Sequence, residues 1–232
     1  MELVISFSGG KDSTAMLAYL VENYPEANKH VVFADTGWEH ADAEEWCRSI
    51  VTGRFGLPLH VVRNPNKDFF GMVRHRQMFP GPKYRQCTSD LKRGPIQKWI
   101  RNNITGDRPI IINAMGIRAA ESPNRKRMPA AKPNKTMTNS KRKVFDWLPI
   151  HDWTDEQVYS YLEEKGLPLH PAYEYLSRFS CRVCIFMTAK DLARAQRHDP
   201  EAIRIIADLE KEIDFTMFQG ETIEKRANIL KR

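Results

Sequence analysis

A run of small and polar residues, Ser6-Phe7-Ser8-Gly9-Gly10-Lys11-Asp12-Ser13-Thr14, separates the apolar, β-branched segment Leu3-Val4-Ile5 from the helix-forming stretch Ala15-Met16-Leu17-Ala18-Tyr19-Leu20-Val21. A strand feeding a helix through paired glycines is the setting of an anion site. Glycine admits positive φ and a close backbone approach, and the first helical turn presents unpaired N–H groups at the positive dipole end. Lys11 adds a mobile cation, and Ser8, Ser13 and Thr14 add hydroxyl donors. The spacing is neither the G-x-x-x-x-G-K-[ST] of a Walker A loop nor the G-x-G-x-x-G of a dinucleotide site.

Further along the chain, strand-like and helix-like segments alternate. Residues 3–7, 31–34, 59–62 and 110–115 are continuous apolar runs of strand length, as expected of strands covered on both faces. Helical periodicity occupies 13–23, 39–55 and 89–100. The rhythm predicts an α/β fold with an open, mostly parallel, doubly wound sheet, whose ligands bind beyond the carboxyl ends of the strands. The last third is different: Thr154-Asp155-Glu156-Gln157 forms a capping box, and Asp199-Pro200 opens a helix with Ile203, Ile206, Leu209 and Ile213 on one face. The expected organisation is an α/β domain over 1–150 and a helical C-terminal region over 151–232, carrying Cys181-x-x-Cys184.

The chain has 232 residues and a formal net charge of +7. From 122 to 145 it carries Arg125, Lys126, Arg127, Lys132, Lys135, Lys141, Arg142 and Lys143 without one acidic residue, and Pro123, Pro129 and Pro133 predict an extended or mobile loop. A second basic stretch includes Arg63, Lys67, Arg74, Arg76, Lys83, Arg85, Lys92, Arg93, Lys98 and Arg101. Such patches suit a nucleotide phosphate cluster or a nucleic acid; a solvated surface with a lid over a nucleotide explains them equally well. No apolar run reaches the roughly 18 residues of a membrane span, so a soluble, cytoplasmic protein is expected. The four cysteines are too few for a disulfide scaffold, and in a reducing compartment they read first as ligands or reactive thiols.

The glycine loop is similar to the S-G-G-x-D-S signature of the PP-loop ATP pyrophosphatases, the adenine nucleotide α-hydrolase-like superfamily. Three further segments resemble the phosphoadenosine phosphosulfate (PAPS) reductase family within it: Asp35-Thr36-Gly37 after a strand, Gly116-Ile117-Arg118-Ala119-Ala120-Glu121-Ser122, and Pro149-Ile150-His151-Asp152-Trp153-Thr154. The resemblance implies that ATP, or another adenine nucleotide, is held by Ser6, Ser8, Gly9, Gly10, Lys11, Asp12, Ser13 and Thr14 together with Asp35, Thr36, Gly37, Gly116, Arg118, Glu121 and Ser122. Lys11, Asp12 and Arg118 are the expected catalytic residues. Lys11 would stabilise departing pyrophosphate, Asp12 would bind Mg²⁺, and Arg118 would offer a planar fork to phosphate or sulfate, oriented by Glu121. Asp35 would hold a ribose hydroxyl or Mg²⁺. Trp153, His170 and Tyr173 are expected to be wall or core residues.

Cys87 lies in Tyr84-Arg85-Gln86-Cys87-Thr88-Ser89-Asp90, which resembles the segment that carries a Cys-Cys pair in cluster-bearing adenylyl sulfate reductases; here the pair is Gln86-Cys87. The resemblance implies a [4Fe–4S] cluster on Cys87, Cys181 and Cys184 with one iron open, as in tRNA-thiolating relatives. A zinc site completed by a histidine, a redox-active Cys181/Cys184 pair and inert thiols are the competing readings; Cys47 reads as a buried small hydrophobe. Reductases of this family attack sulfate with a C-terminal thiol, and no cysteine follows Cys184 through the run 224–232. The expected activity is therefore cleavage of ATP at the α-phosphate, adenylation of an acceptor such as tRNA or DNA, and sulfur transfer from a donor. The alternative is a PAPS or adenylyl sulfate reductase, or a sulfate adenylyltransferase-like protein, working with a thioredoxin-like partner. A nucleic-acid-binding protein that uses its nucleotide as a switch is a third reading.

Overall fold

A computed structural model describes residues 1–179 and 181–228. The chain forms two compact units: Met1–Ala34, Asp42–Val62 and Pro95–His170 make the first, and Asp35–Ala41, Arg63–Gly94 and Pro171–Arg232 the second. Residues 229–232 of the cysteine-free C-terminal run lie outside the described residues.

The first unit is built on β1 (Glu2–Phe7), β2 (Asn28–Ala34), β3 (Leu59–Val62), β4 (Ile110–Met115), β5 (Ala131–Pro133) and β6 (Lys143–Trp147). They form one six-stranded sheet in the order β3-β2-β1-β4-β6-β5, parallel except for the antiparallel edge strand β5. The order runs outward from β1 in both directions, as in a doubly wound fold, so the carboxyl ends of β1 and β4 lie side by side. Val4, Val32, Ile111 and Val144 of successive strands meet Ile100 and Ile104 in one core cluster. Helix α1 (Lys11–Asn23) packs through Ala15 on Val158 and Leu162 of helix α6 (Asp155–Glu164).

The sequence expectations differ from the structure at three places. The helix expected from residue 39 begins as α2 at Ala43 and widens into a π-type stretch over Ser49–Arg54, since Glu39 bridges to Cys181 and Asp42 bonds His170. The helix expected over 89–100 is π-type over Cys87–Arg93 and then α4 over Gly94–Asn103. The basic segment is not a free loop: Pro123 starts the short helix α5 (Pro123–Lys126), where a missing N–H costs nothing, and β5 and β6 extend the sheet.

In the second unit, helix α3 (Phe69–Arg76) follows the cap Asp68, which accepts from the Gly71 amide at 2.7 Å. The C-terminal part is helical: α7 (Ala189–His198), α8 (Pro200–Ile213) and α9 (Ile223–Ala227). Ala202, Ile203, Ile206, Leu209 and Ile213 give α8 a buried stripe at helical spacing. Glu210, on that stripe, accepts the amides of Met217 and Ile223 at 2.8 and 3.0 Å and so ties the chain beyond the helix to it. Trp38 anchors the segment 35–41, donating from Nε1 to the Val183 carbonyl at 3.0 Å and stacking on Phe69. Among the described residues no helix is long and apolar enough to cross a membrane.

Candidate active site

The glycine loop leaves β1 and enters α1 as the spacing predicts. Gly9 has φ +74°, and the N-cap Gly10 is extended and has no side chain of its own to cap α1. Trp46 fixes the loop from the side by donating to the Gly9 carbonyl at 3.0 Å. Ser13 and Thr14 turn inward instead of facing a ligand, their hydroxyls donating to the Gly10 carbonyl at 2.9 and 3.1 Å. Ser8 remains exposed, and Ser6 points along the sheet to Asn113 of β4.

Above this loop four charged side chains close on one another. Asp12 Oδ1 lies 2.6 Å from Arg118 Nε and 3.1 Å from Lys11 Nζ, while Asp155 Oδ1 lies 2.7 Å from both Lys11 Nζ and Arg118 Nη2. Arg118 also donates to the Trp153 carbonyl at 3.1 Å and is 1% exposed. Burial alone would lower the pKa of Lys11, but the bond to Asp155 and the charge of Asp12 more than offset it and keep the ammonium above its usual value. The same balance holds Arg118 up, and the bond from Lys11 keeps Asp155 below the usual carboxylate range. Two cations and two carboxylates neutralise each other, leaving cations that an incoming polyphosphate would compete for and carboxylates suited to a hard cation. Asp155 was visible in the sequence only as the first residue of a capped helix.

Gly116 follows β4 where the chain brushes the start of α1: a Cβ there would stand 3.1 Å from the Asp12 backbone and the Ser13 nitrogen. Glu121 does not orient the Arg118 guanidinium as expected. Its carboxylate accepts the Arg118 amide at 2.9 Å and pairs with Arg125, while Asp12 and Asp155 do the orienting. Ser122 caps α5 by accepting from the Arg125 amide. His170 is buried against Trp46 and bonded to Asp42, and Trp153 packs between Tyr19 and Tyr161; both act as wall.

The second unit holds the remaining site residues. Asp35 accepts the Gly37 amide at 2.7 Å and pairs with Arg63, while Thr36 is buried with its amide and hydroxyl on the Glu39 carboxylate. Gly37 needs its φ of +76° and its lack of a side chain, since a Cβ would meet Asp68 Cβ at 3.0 Å. Glu39 bridges to Cys181 in an antiparallel pairing and lies 3.4 Å from Lys92 Nζ. The Lys92 side chain is a third exposed, and its ammonium feels the charges of Cys181, Glu39, Cys87 and Cys184. Burial would lower its pKa, and Cys181, Glu39 and the other two sulfurs reverse that and raise it. Burial pushes the Cys181 thiol up to about 12 against the pull of Lys92, and raises Cys87, with Cys184 adding to it. Cys47 is buried in the first unit. Lys92 and Glu39 are members of this site that sequence reasoning missed.

The three sulfurs therefore share one electrostatic environment. Among the described residues, however, no group of three or more His, Cys, Asp or Glu side chains is placed to hold one metal ion. Thiols are the donor type that both a structural zinc ion and an iron–sulfur cluster take.

Residues 2–178 match the phosphoadenosine phosphosulfate reductase domain model. Cys181 and Cys184 lie just beyond that match. Among curated relatives, an uncharacterized 37.8 kDa protein of Escherichia phage 186 is 26% identical over 90% of this chain and 74% of its own. The phosphoadenosine 5'-phosphosulfate reductase of Aliivibrio salmonicida is 39% identical over 75% of this chain and 64% of its own. An uncharacterized protein of Methanocaldococcus jannaschii is 28% identical over 86% of this chain, which spans only 39% of that protein. The U34-tRNA thiolase NcsA of Methanococcus maripaludis, solved with its [4Fe-4S] cluster, shares the fold at 13% identity (TM-score 0.50) over 100% of this chain and 82% of its own. So does the Candida glabrata FMN adenylyltransferase, at 15% identity (TM-score 0.51) over 77% of this chain and 54% of its own.

Proposed function

The chain belongs to the phosphoadenosine phosphosulfate reductase domain family of the PP-loop, adenine nucleotide α-hydrolase-like superfamily, and from that premise we propose that it cleaves ATP at the α-phosphate and uses the adenylate for sulfur transfer. The observation that carries the reading is the Lys11–Asp12–Arg118–Asp155 quartet over a glycine loop that opens α1 on a glycine N-cap.

In the proposed reaction an oxygen of the acceptor attacks the α-phosphorus and the bond to the β-phosphate oxygen breaks. Pyrophosphate leaves with that electron pair. The amides at Gly9, Gly10 and the first turn of α1, with Lys11 and Arg118, stabilise the charge that gathers on it. Asp12 and Asp155, displaced from the cations by the phosphates, would hold Mg²⁺, which supplies charge neutralisation to the polyphosphate. A sulfur nucleophile then displaces AMP from the acceptor carbon. Cys87, Cys181 and Cys184 would hold the [4Fe–4S] cluster, which when bound supplies an iron without a protein ligand for incoming sulfide. Lys92 offsets the negative charge of their thiolates. The acceptor is proposed to be a nucleic acid, and the setting cytoplasmic.

A second reading is supported by the family's curated reductases, including the 39% identical A. salmonicida protein: reduction of PAPS or adenylyl sulfate with a thioredoxin-like partner. Turnover of radiolabelled nucleotides separates them. AMP and pyrophosphate from ATP support sulfur transfer after adenylation; sulfite from either sulfate nucleotide with thioredoxin, and none of these products from ATP, supports reduction.

A further inference from the structure

Most arginines of the second unit face carboxylates: Arg74 is bonded to Glu212, Arg182 to Asp199 and Arg63 to Asp35. Arg85 and Arg178 are exceptions. Their guanidinium carbons lie 5.7 and 6.0 Å from the ring centroid of Phe186, and among the described residues neither is paired with an acid. Beside Arg85 in the chain, Lys83 Nζ lies 5.2 Å from the ring centroid of Tyr84, again with no acidic partner among the described residues. Tyr84 is 65% and Phe186 40% exposed. Two cations sharing one solvent-facing ring, neither with an acidic partner among the described residues, are open to an anion.

The chain places these residues beside the thiols. The Arg85 carbonyl accepts the amides of Thr88 and Ser89, so Arg85 opens the turn that carries Cys87. The Cys184 carbonyl accepts the Met187 amide, so Phe186 sits within the turn that Cys184 begins. We propose that Lys83, Tyr84, Arg85, Arg178 and Phe186 form a docking surface for single-stranded nucleic acid, which delivers an acceptor base to the cysteine site. Flat aromatic faces accept unstacked bases of any sequence, and the interleaved cations follow the phosphates; a duplex, with its bases already stacked, offers the rings nothing. An acidic peptide would satisfy the cations but supply neither exposed ring with a base to stack on. The surface deepens the sulfur-transfer reading by naming its acceptor class, and it places the strand in the second unit rather than on the 122–145 segment.

The test uses the full chain and fluorescent single-stranded RNA, single-stranded DNA and duplex oligonucleotides, read by anisotropy across a salt series. Single strands should bind more tightly than duplex, the RNA and DNA arms identifying the sugar. Arg85→Glu with Arg178→Glu should flatten the salt slope by about 0.7 per lost phosphate contact. Tyr84→Ala with Phe186→Ala should weaken binding at least roughly fivefold at unchanged slope. Arg85→Lys with Arg178→Lys should restore the slope and shows that the site still folds. Lys132→Glu with Lys135→Glu should leave single-strand affinity within about twofold. Equal binding by all variants, preference for duplex, or competition by poly-glutamate but not by oligonucleotide would overturn the surface. Pyrophosphate release from ATP alone reports the nucleotide reading separately: strands bound without ATP cleavage leave the surface standing, and cleavage without strand binding removes only the surface.

Discussion

Arg118 Nε lies 2.6 Å from Asp12 Oδ1, joining the end of β4 to the first turn of α1 through a side chain with almost no contact with water. Removing it leaves Asp12 and Asp155 facing each other with Lys11 alone between them. Arg118→Met should lower stability by about 3 kcal/mol, the usual cost of breaking a buried pair. Denaturant unfolding measures this. Arg118→Lys, which keeps the charge but loses the fork, should recover most of the stability and little of the ATP turnover.

Lys11 is held charged by Asp155 and Asp12 in the same network. Lys11→Met should reduce pyrophosphate release about 100-fold or more, the effect of removing one charge-stabilising donor, while ATP binding falls less. Single-turnover kinetics at saturating ATP distinguish the two effects.

Gly116→Ala places a methyl group 3.1 Å from the Asp12 backbone and the Ser13 nitrogen, with backbone atoms that cannot swing aside. Destabilisation of about 1–3 kcal/mol is expected from such overpacking, with a raised KM for ATP because the loop itself must move. A Gly116→Ala protein with unchanged melting temperature and KM would show that the approach is looser than the structure has it.

Asp191 is 3% exposed and accepts from the Ser177 amide and hydroxyl and from the Thr188 hydroxyl. Burial works to raise its pKa, but those bonds outweigh it and the folded-state value lies below the usual one. A depressed folded pKa means that the unfolded chain binds the proton first. The stabilisation is therefore complete above the unfolded value and is lost as pH falls through the folded one. Asp191→Asn should flatten this acid limb in thermal melts from neutral pH downward, and leave the second unit less stable at pH 7.

Cys87→Ser, Cys181→Ser and Cys184→Ser should each lower iron and sulfide content after anaerobic reconstitution, with loss of the broad visible absorbance of thiolate-ligated iron. Cys47→Ser should not. Colourless wild-type protein with one zinc per chain would remove the cluster from the account.

Much of this was legible in the chain, for identifiable reasons. Continuous apolar runs mark buried parallel strands, so the strand expected over 3–7 extends by one residue and that over 59–62 coincides with β3. The glycine loop is a local signal whose neighbours settle its context. β5 escaped notice because it is three exposed residues ending in a proline, and β6 because Lys143 and Asp146 interrupt its apolar run; β5 lies at the sheet's edge, exposed along its length. Asp155, Glu39 and Lys92 act through partners far away in sequence, and no local pattern announces such pairs. The hydroxyls of Ser13 and Thr14 match the motif yet serve the helix start, since the nearest acceptor is the Gly10 carbonyl.

The most direct measurement is the product of ATP labelled at the α-phosphate, incubated with the anaerobically prepared protein, Mg²⁺, sulfide and single-stranded RNA or DNA. Labelled AMP with equimolar pyrophosphate, abolished by Lys11→Met, is the expected outcome. Labelled ADP with inorganic phosphate would contradict it.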